Sequence, residues 1–187
     1  MTQRVFTLAN QLTLLRMALI PFFAVALLSE HNGWAMGLLL AAGASDLLDG
    51  MLARRLQQRT SVGAYLDPIA DKLLLSTAFI VLAIRGQVPW EVSIIVLGRD
   101  VLILAIGLVI IVGAGFRPFP PSVYGKACTT AQVVTVFLVV LTLLAPYRLL
   151  LSVKAGLLWL TVALTVVSGV HYAYRTGKVL PAAPSKP

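Results

Sequence analysis

The chain is poor in charge and poorest in acid. Only 12% of its 187 residues are charged, and seven Asp and Glu stand against fifteen Lys and Arg. An ordinary soluble domain carries about twice that share of charge, so this class is excluded. A single cysteine, Cys128, excludes an intrachain disulfide framework and any multi-cysteine zinc site. There are two histidines, His31 in an expected loop and His171 near the end of the last expected helix. Neither is placed to activate Cys128 as a nucleophile, so Cys128 is read as a small packing residue. Polar helix faces are missing as well: the long segments are apolar nearly all round, unlike those of a soluble bundle. No internal repeat is long enough to argue for an inverted-repeat transporter.

What is abundant is apolar surface, with 59% hydrophobic residues and a mean hydropathy of +0.92. Several stretches approach the roughly 20 apolar residues needed to cross a hydrocarbon core. The pattern predicts an all-α integral membrane protein, a bundle of six transmembrane helices at about 8–28, 33–55, 62–85, 90–114, 123–145 and 149–173. Residues 1–174 form the expected membrane domain, and 175–187 a Pro-, Ala- and Lys-bearing disordered tail. The first span carries Asn10, Arg16 and a Pro21-Phe22 step, and no small-residue cleavage site leads into a soluble domain. It is therefore read as a retained helix and not a signal peptide.

The net charge of +8 is expected to meet lipid headgroups and set topology, with no nucleic-acid partner. Arg4, Arg54, Arg55, Arg59, Arg117, Lys126, Arg175, Lys178 and Lys186 fall on one side, against Arg85, Arg148 and Lys154 on the other. Both termini and the connection between spans two and three are thus expected in the cytoplasm, in a bacterial cytoplasmic membrane.

Four of the seven acids fall within 26 positions, at Asp46, Asp49, Asp67 and Asp71. Asp46 and Asp49 share a helix face, as do Asp67 and Asp71 if Pro68 lies in or just before the first turn of its span. A short cytoplasmic turn would bring the two faces together. Carboxylates inside a bilayer are costly, and four together repel unless cations join them. Hard divalent cations take oxygen ligands, and paired metals assist phosphoryl chemistry. Gly50 and Ala53 leave room beside the carboxylates, and Arg54 can pair with a phosphate. The competing reading is a structural charge cluster, with Arg54 and Lys72 balancing the acids and small residues serving bundle packing.

The run Asp46-x2-Asp49-Gly50-x2-Ala53-Arg54-x8-Gly63-x3-Asp67-x3-Asp71 resembles the signature of the CDP-alcohol phosphatidyltransferases. Asn10-x2-Thr13-x2-Arg16 is similar to the family's N-terminal motif, and Gly125-Lys126 with Thr129 and Gln132 to the fifth-span motif of its glycerophospholipid branch. The resemblance implies six helices with a cytoplasmic-side active site. It implies that Asp46, Asp49 and Asp67 hold two divalent cations, Mg²⁺ or Mn²⁺. Asp71 would be the general base and also touch a metal. Gly50, Ala53, Arg54 and Gly63 would line the CDP site. The implied reaction moves a phosphatidyl group from CDP-diacylglycerol to a glycerol-type hydroxyl and releases CMP. A homodimer is a further implication.

For the acceptor, the residues singled out are Arg99, Asp100, Lys126 and Arg117. Adjacent charges inside a span are costly unless used, either to bind acceptor or to pair with neighbouring helices. Phosphatidylglycerophosphate synthases usually have Glu after the arginine and a second Arg about a turn or two later. This chain has Asp100, then no cation from Val101 to Ile111, and Cys128 where that branch often has Lys. Arg-Asp resembles the cardiolipin synthase branch, so phosphatidylglycerol is the expected acceptor and glycerol-3-phosphate the alternative. Readings of another class are a cation transporter or channel, which needs acids spread through the membrane depth, and a structural relative without catalysis.

Overall fold

The computed structural model describes residues 8–55, 61–114 and 123–179, with side chains described for 11–46, 48, 69–106 and 123–174. These residues form six helices: α1 Leu8–Leu28, α2 Asn32–Arg55, α3 Ser61–Ile84, α4 Trp90–Ala114, α5 Val123–Leu144 and α6 Arg148–Val179. The all-helical expectation holds, with no strand among the described residues. Five helices match the expected spans within a residue. The sixth continues to Val179, past the expected boundary at 174, and 180–187 lie outside the described residues.

Among the described residues, α1, α5 and α6 are long and apolar enough to cross a membrane. The other three carry all the acids found within helices: Asp46 and Asp49 in α2, Asp67 and Asp71 in α3, and Glu91 and Asp100 in α4.

Local chemistry sets the helix ends. Gly86, at φ +66°, closes α3: its N–H donates to Ala83 O at 2.9 Å and the Gln87 N–H to Leu82 O at 2.8 Å, a Schellman pair. Glu30, at φ +60°, closes α1 by the same pattern, with Glu30 N–H to Leu27 O and His31 N–H to Ala26 O. Pro89 opens α4, its carbonyl accepting from Val92 and Ser93. Pro146 lies just beyond the end of α5.

The chain divides into two units, Met1–Gln87 with Val136–Tyr147, and Val88–Thr135 with Arg148–Pro187. In the first unit α1 packs against α2 and α3. Phe23 and Leu27 of α1, Ala35 and Ala42 of α2, and Ala70, Ala78, Phe79 and Leu82 of α3 are buried. The alanines let helix backbones approach closely, as membrane packing favours. At one end of this unit, Arg85 donates to Asn32 Oδ1 at 2.7 Å and lies 3.9 Å from Glu30.

In the second unit α4 packs against α6. The α5 segment up to Thr135 meets α6 through a polar seam: Thr135–Thr161 hydroxyls at 2.7 Å, Cys128 Sγ–Thr165 Oγ1 at 3.4 Å, and Tyr124 and His171 rings 4.8 Å apart. Rising positions on α5 meet falling positions on α6, so the two segments run antiparallel. Cys128 is buried there, as expected of a packing residue.

Candidate active site

The site is built where the first part of α1 meets the second half of α2 and the first half of α3. Thr13 and Arg16 are three apart on α1, and both are buried. The neighbouring helices contribute small buried residues, Ala42 and Ser45 on α2 and Ala70 on α3. The Ser45 hydroxyl turns back to donate to Ala41 O at 2.8 Å, so its polarity is satisfied within its own helix.

Among the described side chains, the fold brings Asp46 and Asp71 into this packed corner. Arg16 Nη1 lies 3.0 Å from Asp46 Oδ1 and 2.5 Å from Asp71 Oδ1. One nitrogen of α1 therefore gathers a carboxylate from α2 and another from α3. The Arg16 side chain is 1% exposed, whereas those of Asp46 and Asp71 are 47% and 42% exposed. The cation is sealed inside and the acids stand at the edge, open to a ligand. A guanidinium buried in apolar surroundings requires such partners.

Asp49, Gly50, Ala53 and Arg54 are helical residues of α2, and Gly63 and Asp67 of α3; their side chains lie outside the described set. On α2, Asp49 follows Asp46 by three positions, and on α3 Asp67 precedes Asp71 by four, spacings that share a face. α3 begins at Ser61, within a residue of the expected start, so Pro68 sits inside the helix and beyond its first turn. The proline withdraws one intrahelical hydrogen bond just beside Asp67.

Among the described residues no group of three or more His, Cys, Asp or Glu side chains gathers as a metal site. The donor chemistry nevertheless suits hard cations. Asp46 and Asp71 converge on one point, are partly exposed and offer only oxygen.

Arg16 was not among the candidate site residues, although it stands in the N-terminal motif. The signal was available: an arginine inside an apolar span needs a carboxylate, and the acids are few.

The acceptor candidates belong to the second unit. Arg99 Nη1 donates to Asp100 Oδ1 at 2.7 Å and Nη2 to Ser168 Oγ of α6 at 2.7 Å. Arg99 and Asp100 side chains are 8% and 6% exposed. The Arg99 stem runs along Gly169, whose added Cβ would meet Cγ at 3.7 Å. Lys126 is exposed at the start of α5, and Gln132, fully buried, donates to Cys128 Sγ. Arg117 lies outside the described residues.

The sequence profile of the CDP-alcohol phosphatidyltransferase family matches residues 6–167. A Mycobacterium tuberculosis protein named "Putative cardiolipin synthase" is 42% identical over 127 residues, covering 67% of this chain and 60% of that one. A Bacillus subtilis CDP-diacylglycerol–glycerol-3-phosphate 3-phosphatidyltransferase is 34% identical over 192 residues, covering 94% and 97%. A Streptomyces coelicolor cardiolipin synthase (CMP-forming) is 35% identical over 134 residues, covering 68% and 62%. This chain thus spans about 60% of the length of the mycobacterial relative. The profile runs from α1 into α6 and includes every helix that builds the carboxylate corner, so the chain belongs to the CDP-alcohol phosphatidyltransferase family.

Proposed function

We propose that this protein transfers a phosphatidyl group from CDP-diacylglycerol to a hydroxyl of phosphatidylglycerol, forming cardiolipin and releasing CMP. The observation that carries the reading is the meeting of Asp46 and Asp71 at Arg16, between helices that hold the whole family signature. Asp46, Asp49 and Asp67 are the residues that would hold two divalent cations, Mg²⁺ or Mn²⁺, with Asp71 beside them. When bound, the pair supplies Lewis-acid activation of the hydroxyl and charge neutralisation at the leaving phosphate. Asp71 takes the proton of the acceptor hydroxyl as its oxygen bonds to the β-phosphorus. The bond from that phosphorus to the bridging oxygen breaks, and CMP leaves with the electron pair. Gly50, Ala53 and Gly63 leave space for the CDP group, and Arg54 pairs with the diphosphate. Positioning and charge account for most of the rate.

Arg99, Asp100, Lys126 and Arg117 are proposed to receive the acceptor. The pairing of Arg99 with Asp100 favours a headgroup rich in hydroxyls over a dianionic phosphate, because the buried pair has no net charge. Glycerol-3-phosphate is the second reading, favoured by the nearly end-to-end match to the Bacillus subtilis enzyme. An acceptor screen with purified protein and CDP-diacylglycerol decides between them. CMP release with phosphatidylglycerol and not with glycerol-3-phosphate is expected. The reverse preference would exchange the two readings, and release with no acceptor, inositol phosphate, serine and small alcohols included, would remove the enzyme reading.

We further propose that residues 1–174 form a membrane domain in which all six helices cross a bacterial cytoplasmic membrane, with both termini and the carboxylates on the cytoplasmic side, and that the protein is a homodimer. Helices α2, α3 and α4 have 24, 24 and 25 residues. At 1.5 Å per residue that is about 36 Å, enough for the hydrocarbon core. They also expose Leu40, Ile84, Ile94, Val101 and Leu104. Arg16 lies about 18 Å along α1 from Leu28, and no acid occurs in 17–29, 33–45 or 72–84. Asp46 and Asp71 therefore gather at one level, around Arg16, and the acids of α2 and α3 are not strung along the rest of the helices as a conduit would need, which disfavours a channel. In a Cys128→Ser background, Gln58→Cys should resist a membrane-impermeant maleimide in intact cells, and His31→Cys should label. The opposite pattern would invert the topology. A single band at twice the protomer mass after cross-linking in membranes would support the dimer.

A further inference from the structure

Arg16 is a cation built into a cluster whose proposed work is to hold other cations. It cannot turn to solvent, because its side chain is 1% exposed, and it reaches Asp46 and Asp71 from a third helix. We propose that Arg16 is a positioning residue that competes with divalent cations for Asp46 and Asp71 and couples metal filling to arrival of the anionic donor. This rests on the metal-dependent reading above.

The argument is one of charge and place. Asp46, Asp49, Asp67 and Asp71 carry four negative charges, which two divalent cations would cancel completely. Arg16 already offsets one of them from inside the fold. Filling the corner with two such cations then leaves an excess positive charge, in surroundings where water screens it poorly. The first cation meets a partly satisfied set of oxygens and the second meets repulsion. A diphosphate brings the negative charge that completes the balance, so metal and donor favour one another. Lys72 and Arg54, in the same stretch of α2 and α3, add positive charge in the same sense. Arg16 also performs a geometric task. A single nitrogen bonded to oxygens from two helices holds both carboxylates in position before any ligand arrives.

A purely structural Arg16 and a competing Arg16 differ in the sign of one effect. Arg16→Gln keeps an amide donor near the carboxylates but removes the charge, whereas Arg16→Lys keeps the charge and loses the fork. Mn²⁺ binding to purified protein in lipid nanodiscs, followed by electron paramagnetic resonance, reads the metal directly and without turnover. Arg16→Gln is expected to bind Mn²⁺ at least about tenfold more tightly than the parent, a floor set by the repulsion that a unit charge about 4 Å from a divalent cation exerts even at the dielectric constant of water. Its KM for CDP-diacylglycerol is expected to rise about tenfold, in the opposite direction. Arg16→Lys should stay within about threefold of the parent in Mn²⁺ affinity. Weaker or unchanged Mn²⁺ binding in folded Arg16→Gln would overturn the inference. If Arg16→Gln does not fold, Arg16→Lys carries the test, and a change beyond about threefold either way overturns it. Absence of Mn²⁺ binding by the parent would instead remove the metal-dependent reading itself.

Discussion

Replacing Asp71 by Asn is expected to reduce CMP release by about 10²–10⁴-fold, the usual contribution of a positioned general base. The substitution preserves shape, and an amide oxygen can still accept from Arg16 Nη1, which lies 2.5 Å from Asp71 Oδ1. The corner should therefore remain assembled, with CDP-diacylglycerol and Mn²⁺ still binding, the metal more weakly for the loss of one nearby negative charge. What is lost is the ability to take a proton from the acceptor hydroxyl. Turnover and equilibrium binding measured on the same preparation check this. Parental turnover would remove Asp71 as the base. Loss of Mn²⁺ binding would make it chiefly a metal ligand.

Asp46→Asn is expected to act on the other side of the reaction. Asp46 is assigned to the cations, and its carboxylate is 47% exposed, so its main work is directed outward and not into the core. Losing one anionic ligand should raise the half-saturating Mg²⁺ concentration about 100-fold, as large as the loss of a supporting outer contact can be, or abolish activity. Excess Mg²⁺ should recover part of the rate in this variant and none in Asp71→Asn. A Mg²⁺ titration of both variants separates the roles. An unchanged Mg²⁺ requirement in Asp46→Asn would leave that residue as an anchor for Arg16 alone.

The number and placing of the helices were legible because hydropathy reports burial in lipid or protein directly. α1 runs from Leu8 to Leu28 as its apolar run suggests, and Gly86 and Pro89 punctuate the chain where turn chemistry requires. The reading failed where hydropathy and helicity part. α6 continues through Arg175 and Lys178 to Val179, because helical hydrogen bonding continues where apolarity stops.

Sequence alone determined that Asp46 and Asp49 share one face and Asp67 and Asp71 another, since three- and four-residue spacing is a property of a single helix. It likewise carried the family signature, whose residues are nearly contiguous. Only the tertiary structure decided what stands behind them. Arg16 is 55 positions from Asp71, and no local periodicity relates two residues on different helices. Arg99 and Asp100 are neighbours in sequence, but neighbours on a helix do not normally face each other. They meet because packing of α4 on α6 holds the Arg99 guanidinium between Asp100 and Ser168. The carboxylates could be counted along the chain; the cation that gathers two of them is a consequence of how three helices pack.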